Sequence, residues 1–284
     1  MRLVTYSDVD LFLESALPVL LENEVENNLI LGIALVLRNN PDIYPQKFLA
    51  EIRDKGKPET IAVCTPPHKL LLYSKNEHAN DHYKLIVEKM LKTQSIPGVL
   101  ASKDTALNFA KVWQDLTNGT VKPGMSERIY KLEKVSFPSK TKGNMRIAAE
   151  KDFELICEWI KAFHHEATPA DPLGNVEAFV KRKIRKNEIA FWETENPVSI
   201  IAKARPTING VCVNMVYTPP EQRGQGYASN LVAAFSQSLL DEGWRFCTLF
   251  TDLSNPTSNS IYQKIGYRPI SDFQEYMFEK QKDL

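Results

Sequence analysis

Apolar residues recur along the chain at two spacings, one typical of amphipathic helices and one typical of strands. In the first half, the helical spacing predicts helices over residues 11–21, 24–37, 76–91 and 102–116. Short apolar or alternating runs predict strands over residues 60–64, 69–73 and 128–135. The first two of these strands flank Pro66 and Pro67, which predicts a β-hairpin. Ser102 is expected to cap the helix that follows it.

The second half shows the same mixture with clearer ends. Helices are predicted over residues 152–163, 176–186, 226–242 and 255–265. Strands are predicted over residues 145–148, 189–192, 198–204, 211–218, 245–251 and 274–278. The last helix has Asn255 at its N-cap, Pro256 at its first position and Gly266 after its end. Strands mixed with helices in this way predict a sheet domain of the α/β or α+β class.

A polar segment at residues 137–144 separates the two halves. It contains Pro138 and Gly143 and has no apolar periodicity, as is typical of a linker. The segment divides the 284 residues nearly in half, and each half has an ordinary domain length. The sequence therefore predicts two domains, residues 1–142 and residues 143–284.

Composition and charge argue against several broad classes of protein. Hydrophobic residues make up 43% of the chain, which is a globular composition. Because 35 Lys and Arg balance 35 Asp and Glu, no nucleic-acid partner is expected. The basic run Lys181–Lys186 is interpreted as a solvated helix face. The acidic Asp8 and Asp10 and the shortness of the longest apolar run, Leu29–Leu37, argue against a signal peptide and a membrane span. Four isolated cysteines predict reduced core residues, no metal site and a cytoplasmic location.

The segment Val216–Ala228 combines the end of a strand, a glycine turn and the start of a helix. Pro219 and Pro220 stop the strand, and Gly224 and Gly226 allow the backbone to bend sharply and approach a ligand closely. The unpaired N–H groups and the positive dipole end of the following helix suit a phosphate or pyrophosphate.

On the residues alone, three interpretations of this turn remain open: a plain strand–helix connection, a dinucleotide loop and an acyl-coenzyme A site. A dinucleotide loop requires Gly or Ala at the position occupied by Ser229. A Walker loop requires Gly-Lys-Ser/Thr, which the segment lacks.

Two motifs resemble those of the GNAT acyltransferase superfamily. Residues Gln222–Ala228 (Gln-Arg-Gly-Gln-Gly-Tyr-Ala) resemble its pyrophosphate-binding motif, and Asn255–Tyr267 resembles its downstream motif of Asn, a Tyr seven residues later and then Gly-aromatic. The resemblance covers residues 143–284, and the first half weakly resembles a degenerate domain of tandem members. It implies a mixed, mainly antiparallel sheet flanked by helices, preceded by a degenerate GNAT-like N-terminal domain.

Under this resemblance, the second half would bind one acetyl-CoA as a co-substrate. Phosphate contacts are implied for Gln222, Arg223, Gly224, Gln225, Gly226, Tyr227 and Ala228, pantetheine contacts for Val216, Tyr217 and Thr218, and a further contact for Asn255. Tyr262 would donate a proton to the leaving thiolate. His165 and Glu166, at the end of the first helix of this half, are candidates for the general base, ahead of Asp171 and Asp252.

Three of these assignments have a structural alternative. Tyr262 could be a packed helix aromatic, Asn255 could serve only as an N-cap, and His165 could lie at a solvated helix end.

The implied activity is an N-acyltransferase that moves an acetyl group from acetyl-CoA to a primary amine by direct attack in a ternary complex, without a metal. The acceptor would be a small-molecule amine or a peptide or protein amine, and the chain would be a monomer or a homodimer without a membrane or nucleic-acid partner. The alternative function is a non-catalytic coenzyme-A-binding regulatory module whose N-terminal half binds a partner.

Overall fold

Contacts within the chain divide it into two compact units. A computed structural model describes residues 1–93, 95–169 and 172–279. The first unit contains the described residues of Met1–Ile129, Asp252–Ser254 and the chain from Ile270 onward. The second unit contains those of Tyr130–Thr251 and Asn255–Pro269. The predicted division into domains 1–142 and 143–284 stays a prediction. It includes the bounds of the two domains and also their roles, a degenerate first domain and a catalytic second domain.

The two halves of the chain have the same order of elements: a strand, two helices, three strands, a helix, a strand, a helix and a last strand. The first series is β1 (Arg2–Tyr6), α1 (Val9–Leu21), α2 (Asn28–Asn39), β2 (Phe48–Asp54), β3 (Lys57–Cys64), β4 (Leu70–Ser74), α3 (Asn80–Leu91), β5 (Gly98–Ser102), α4 (Lys103–Thr117) and β6 (Thr120–Leu132). The second series is β7 (Asn144–Ile147), α5 (Phe153–Ala167), α6 (Val176–Arg185), β8 (Ile189–Glu193), β9 (Pro197–Ala204), β10 (Gly210–Tyr217), α7 (Tyr227–Asp241), β11 (Phe246–Asp252), α8 (Pro256–Ile265) and β12 (Arg268–Glu279).

The strands of each unit form a mixed, mainly antiparallel sheet. The order is β1-β2-β3-β4-β5-β12-β6 in the first unit and β6-β11-β10-β9-β8-β7 in the second. The pairs β4–β5 and β10–β11 are parallel, and the other pairs with a described register are antiparallel. The last strand of the chain thus lies in the first unit, where Phe273 is opposite Ser102 and Met277 is opposite Gly98. The predicted fold class is confirmed.

Helices cover both faces of each sheet, so the central strands are buried on both sides. In β2, Phe48 and Ala50 pack in the core with α3 and α4, whereas Leu49 packs in the core with α1 and α2. In the second unit, one core contains residues of α7 and the other contains residues of α5 and α6. Strands buried on both faces read as continuous apolar runs rather than as alternating ones.

The structure corrects several local predictions. The β3–β4 hairpin is confirmed, with Ile61 opposite Tyr73, but β1, β2 and β5 were not predicted. The helices α2 and α3 each begin four residues later than their apolar patterns indicate. The hydroxyl of Ser102 does not cap α4 and instead donates a hydrogen bond to Glu77 Oε1 at 3.3 Å.

The basic run on α6 is not wholly a solvated face. Lys183 is only 7% exposed, and its ammonium group donates to the carbonyl of Lys203 and pairs with Glu188 at 2.8 Å. Burial lowers the pKa of Lys183, and the contacts with Glu188 oppose this effect. The four cysteines, all within the described residues, are buried and form no disulfide, as predicted.

Candidate coenzyme site

The parallel pair β10–β11 of the second unit opens towards its carboxyl end. Gly210 is opposite Phe246, and the register ends where Cys212 is opposite Thr248. Both strands continue beyond this point, β10 as far as Tyr217. In the described register, the edge of β10 that faces β11 therefore has no partner strand after Cys212. An open edge of this kind offers main-chain donors and acceptors to an extended ligand.

A β-bulge interrupts β10 beside this opening. The backbone φ angle of Met215 is 55°, and the register with β9 shifts between Asn214 and Tyr217. The N–H of Met215 donates to Asn214 Oδ1 at 2.7 Å. Bulges of this kind are over-represented next to active sites. Val216, one of the predicted pantetheine contacts, lies within the bulge, which the sequence pattern did not indicate.

The glycine turn after β10 leaves main-chain donors without a partner. Gly224 and Gly226 have φ angles of 78° and 77°, in the left-handed region that glycine adopts at no steric cost. A Cβ built on Gly224 would meet no atom within 4 Å. Among the described residues, none accepts a hydrogen bond from the N–H groups of Gly224, Gln225 or Gly226, and α7 begins without a side-chain cap. The turn and the positive end of α7 can therefore accept an anion.

Side chains hold the carbonyl groups of this turn. Asn230 Nδ2 donates to the carbonyl of Gly226 at 3.0 Å and to that of Ser139 at 3.1 Å. Thr141 Oγ1 donates to the carbonyl of Gln225 at 3.0 Å. Ser139 and Thr141 belong to the segment predicted as a linker, which thus contacts the turn directly. These contacts fix the orientation of the peptide groups in the turn, and with it the direction of the free N–H groups.

Arg223 brings two of the predicted site residues together. Its Nη2 forms an ion pair with Glu166 Oε2 at 2.7 Å, its Nε donates to the carbonyl of Thr218 at 2.8 Å, and its guanidinium lies 5.9 Å from the ring centre of Tyr217. Both charged side chains are about half exposed, at 47% for Arg223 and 43% for Glu166. The carboxylate predicted as a base is therefore held by the guanidinium predicted to contact phosphate.

Tyr217 and Thr218 are already engaged within the second unit. The side chain of Tyr217 is buried, with its ring centre 6.1 Å from that of Trp159, and burial raises its pKa. Ser199 Oγ donates to the carbonyl of Tyr217 at 3.1 Å and accepts from Thr218 Oγ1 at 2.9 Å. Their carbonyl groups are thus occupied, so an extended ligand would find its donors and acceptors at other positions of the β10 edge.

Tyr262, on α8, has a hydroxyl group that forms no hydrogen bond with any residue the structure describes. Its ring centre lies 6.4 Å from that of Tyr130 and 6.0 Å from that of Tyr267. Burial raises the pKa of Tyr262 to about 12. Val216, Tyr227 and Tyr262 all pack against the same core cluster of the second unit. This shared packing places Tyr262 on the core that also supports the bulge and the start of α7.

The other candidates are placed as follows. Asn255 caps α8, because its Oδ1 accepts from the N–H of Ser258 at 3.0 Å. Asp252 closes a local turn by accepting from the N–H and the hydroxyl of Ser254 at 2.8 and 2.7 Å. His165 is exposed near the end of α5 and has no partner in residues 1–93, 95–169 and 172–279, so no described contact joins it to Tyr262.

Asp171 lies outside the described residues. The remaining predicted residues of the turn, Gln222, Tyr227 and Ala228, are half-buried. No group of three or more His, Cys, Asp or Glu that could hold a metal ion occurs in the part of the chain that the structure describes. In the same residues, no helix has the length and apolar character needed to cross a membrane.

Comparisons with known proteins agree with the motifs. Residues 186–277 match the family model described as FR47-like protein. A protein of Bacillus subtilis (strain 168) named as an uncharacterized N-acetyltransferase, YhfO, is 24% identical over 141 residues, which are 47% of this chain and 95% of that protein.

Two solved structures resemble nearly the whole chain. A GCN5-related N-acetyltransferase from Sphaerobacter thermophilus has a TM-score of 0.64 at 12% identity and covers 98% of this chain and 96% of its own. A tandem GNAT protein from the clavulanic acid biosynthesis pathway has a TM-score of 0.58 at 12% identity and covers 99% of this chain and 100% of its own. The predicted resemblance to the GNAT superfamily is therefore confirmed: the chain has the fold of these structures over nearly its whole length, and the family model matches within its C-terminal half.

Proposed function

We propose that the second unit is an acetyl-CoA-dependent N-acetyltransferase that acts on a primary amine by direct attack in a ternary complex. The observation that carries this proposal is the glycine turn: three N–H groups that have no acceptor among the described residues precede an uncapped helix, beside an opened pair of parallel strands. The relative named as an N-acetyltransferase and the structures resembling this chain support the same class of reaction.

The turn suits the pyrophosphate of coenzyme A. Free N–H groups and a helix end with a charge of about +0.5 favour a bound anion. The positive φ angles of Gly224 and Gly226 and the empty space around Gly224 allow the phosphate to approach the backbone. The extended pantetheine arm would then follow the open edge of β10.

The acetyl thioester would supply the electrophilic carbonyl carbon. The neutral amine nitrogen attacks this carbon, a C–N bond forms, and the C–S bond breaks with its electron pair on sulfur. The nitrogen then loses a proton to a base or to water. We assign the proton that reaches the thiolate to Tyr262, whose phenol has a free hydroxyl and stays protonated at neutral pH because burial raises its pKa to about 12.

The proposed general base is His165. A neutral imidazole can accept the proton of the amine, directly or through a water molecule. Glu166 is ranked after it because its carboxylate is already engaged in the ion pair with Arg223 at 2.7 Å. The proposal further includes a small-molecule or peptide amine as acceptor, a non-catalytic N-terminal half, a cytoplasmic location and a monomeric or homodimeric chain.

Two measurements on the full chain test this function. Calorimetric titration with coenzyme A is expected to give one coenzyme per chain. A thiol-release assay with acetyl-CoA and a panel of polyamines, amino acids, aminoglycosides and lysine peptides is expected to show amine-dependent turnover. Binding without amine-dependent turnover would favour the regulatory module, and absence of binding would refute both functions.

A glycine variant locates the site. Gly226→Val is expected to weaken coenzyme A binding at least tenfold, because a side chain strains the left-handed backbone and fills the approach to the turn. Gly56→Val is the matched control, since Gly56 has a φ angle of 83° and no atom within 4 Å of a built Cβ. Both variants should lose similar stability, and an equal loss of affinity in both would contradict this site.

A further inference from the structure

The first unit has an opening equivalent to that between β10 and β11. Its parallel pair β4–β5 has Leu70 opposite Val99 and Leu71 opposite Leu100, and the register ends there. A cavity of about 640 Å³ lies at this opening, between the ends of both strands, residues 23–30 and the start of β12. This volume is typical of a site for a small organic molecule.

The connection after β4 is unsuited to a pyrophosphate. It contains Glu77 where the second unit has a glycine turn with an arginine. Two of its main-chain donors are also occupied, because the N–H of His78 donates to Asn76 Oδ1 at 3.0 Å and that of Ala79 donates to the carbonyl of Asn76 at 3.3 Å. The cavity is therefore chemically different from the proposed coenzyme site.

Unpaired carboxylates predominate among the charged groups that line the cavity. Glu26, Glu77 and Asp104 line it, and none of them forms an ion pair with a described residue. Two other lining charges are neutralised by partners, Lys75 by Glu22 at 3.3 Å and Asp272 by Arg128 at 2.6 Å. Lys103 is the remaining cation of the described lining. Three carboxylates against one ammonium group leave an excess of negative charge.

The uncharged part of the lining is about half apolar and half polar. Leu71, Leu72, Leu100 and Phe273 contribute hydrocarbon surface from three strands. Ser271 adds a hydroxyl group that is shielded from solvent and has no hydrogen-bond partner in the described chain. Apolar surface beside converging polar groups can bind the body and the polar end of one small molecule.

We propose that this cavity binds an organic cation, a protonated amine on an apolar body, at a site separate from that of acetyl transfer. The ammonium group donates charge-assisted hydrogen bonds to the carboxylates, and the apolar body packs against the strand residues. Because the residues that line the cavity lie wholly in the first unit, the proposal does not depend on the transferase activity.

The test uses two amines of this class, 2-phenylethylamine and 1,8-diaminooctane, with their uncharged N-acetylated forms as controls. Each is titrated into the full chain by calorimetry, and hydrogen exchange locates the binding. The amines are expected to protect the peptides covering residues 23–30 and 74–78, and the acetylated forms are expected not to. Protection confined to the second unit, equal binding of the acetylated forms, or no saturable binding at millimolar concentration would overturn the proposal.

Charge removal provides a second criterion. Glu77→Gln and Glu26→Gln should each weaken amine binding about tenfold, as expected for the loss of one charge-assisted contact. Asp115→Asn removes an exposed carboxylate elsewhere on α4 and should leave the affinity unchanged. Unchanged affinity in both glutamate variants would overturn the proposal. Acetyl-CoA turnover is measured in parallel, so that a failure of the transferase proposal and a failure of this one are distinguishable.

Discussion

Removing the hydroxyl group of Tyr262 separates its chemical role from its packing role. In Tyr262→Phe, the ring keeps its neighbours at 6.4 and 6.0 Å, the rings of Tyr130 and Tyr267. No hydrogen bond with a described residue is lost. We therefore expect the free energy of unfolding to change by less than about 0.5 kcal/mol, which is below the usual contribution of one hydrogen bond.

The effect on turnover should be much larger. Loss of a general acid typically costs at least about 10²-fold in rate, which corresponds to about 2.7 kcal/mol in the barrier. Coenzyme A affinity should stay the same, because the proposed phosphate contacts lie in the glycine turn. The decrease is measured as thiol release from acetyl-CoA at saturating amine.

The pH dependence gives a further criterion. Burial raises the pKa of Tyr262 from its usual value near 10 to about 12, so the phenol stays protonated throughout the range from pH 7 to 9. The ratio of wild-type to Tyr262→Phe rates should therefore be constant over this range. The raised pKa stabilises the folded state below pH 10, and this contribution is lost as the pH rises from 10 through about 12. The Phe variant should lack that alkaline loss.

Tyr130→Phe is the matched control for the same aromatic cluster. The Tyr130 hydroxyl donates to Asn259 Oδ1 at 2.9 Å and accepts from Gln263 Nε2 at 3.3 Å. Its removal should lower stability by about 1 kcal/mol and leave turnover near the wild-type rate. A Tyr262→Phe enzyme with wild-type turnover would refute the role of Tyr262 and leave water as the proton source.

Three further predictions concern the second unit. Glu166→Gln should tighten coenzyme A binding severalfold by calorimetry, because it frees Arg223 for the phosphates, with less than about 1 kcal/mol change in stability. Lys183→Met should lower stability by about 3 kcal/mol in urea unfolding, since it leaves the partly buried Glu188 carboxylate unpaired. Gly266→Ala should lower the melting temperature, because the φ angle is 109° and a Cβ would lie 2.7 Å from a backbone oxygen.

Controls and contrary outcomes can be stated for each of these. Weaker coenzyme binding in Glu166→Gln would mean that the ion pair orients the guanidinium rather than competing with phosphate. Lys186→Met changes an exposed lysine at the end of the same helix and should be nearly neutral. Gly174→Ala should also be neutral, since a Cβ there meets no atom within 4 Å and the residue has no positive φ angle. A similar loss in the variant and its control would contradict the stated cause.

The sequence predicted best those features that depend on local chemistry. The glycine turn and the bounds of α8 follow from Gly224, Gly226, Asn255 and Gly266, whose preferences act within a few residues. By contrast, β2 was missed because residues 48–52 face two cores, and a strand buried on both sides has no alternation to detect.

Features that depend on distant partners could not be predicted. The bulge at Met215 is defined by the register between β10 and β9. Arg223 and Glu166 are 57 residues apart in the chain, and no spacing pattern connects them. Lys183 looks like its exposed neighbours in the basic run, and its burial depends on an acceptor 20 residues away, the carbonyl of Lys203.

The position of β12 in the first unit limits where the chain can be divided into separately expressed fragments. A fragment ending at residue 142 would lack the strand that pairs with β5, and its exposed edge would favour association with other chains. A fragment beginning at residue 143 would in turn lack β6, the neighbour of β11 in the strand order. Each fragment expressed alone is therefore expected to aggregate, whereas the two expressed together should exchange these strands and assemble into a complementing pair.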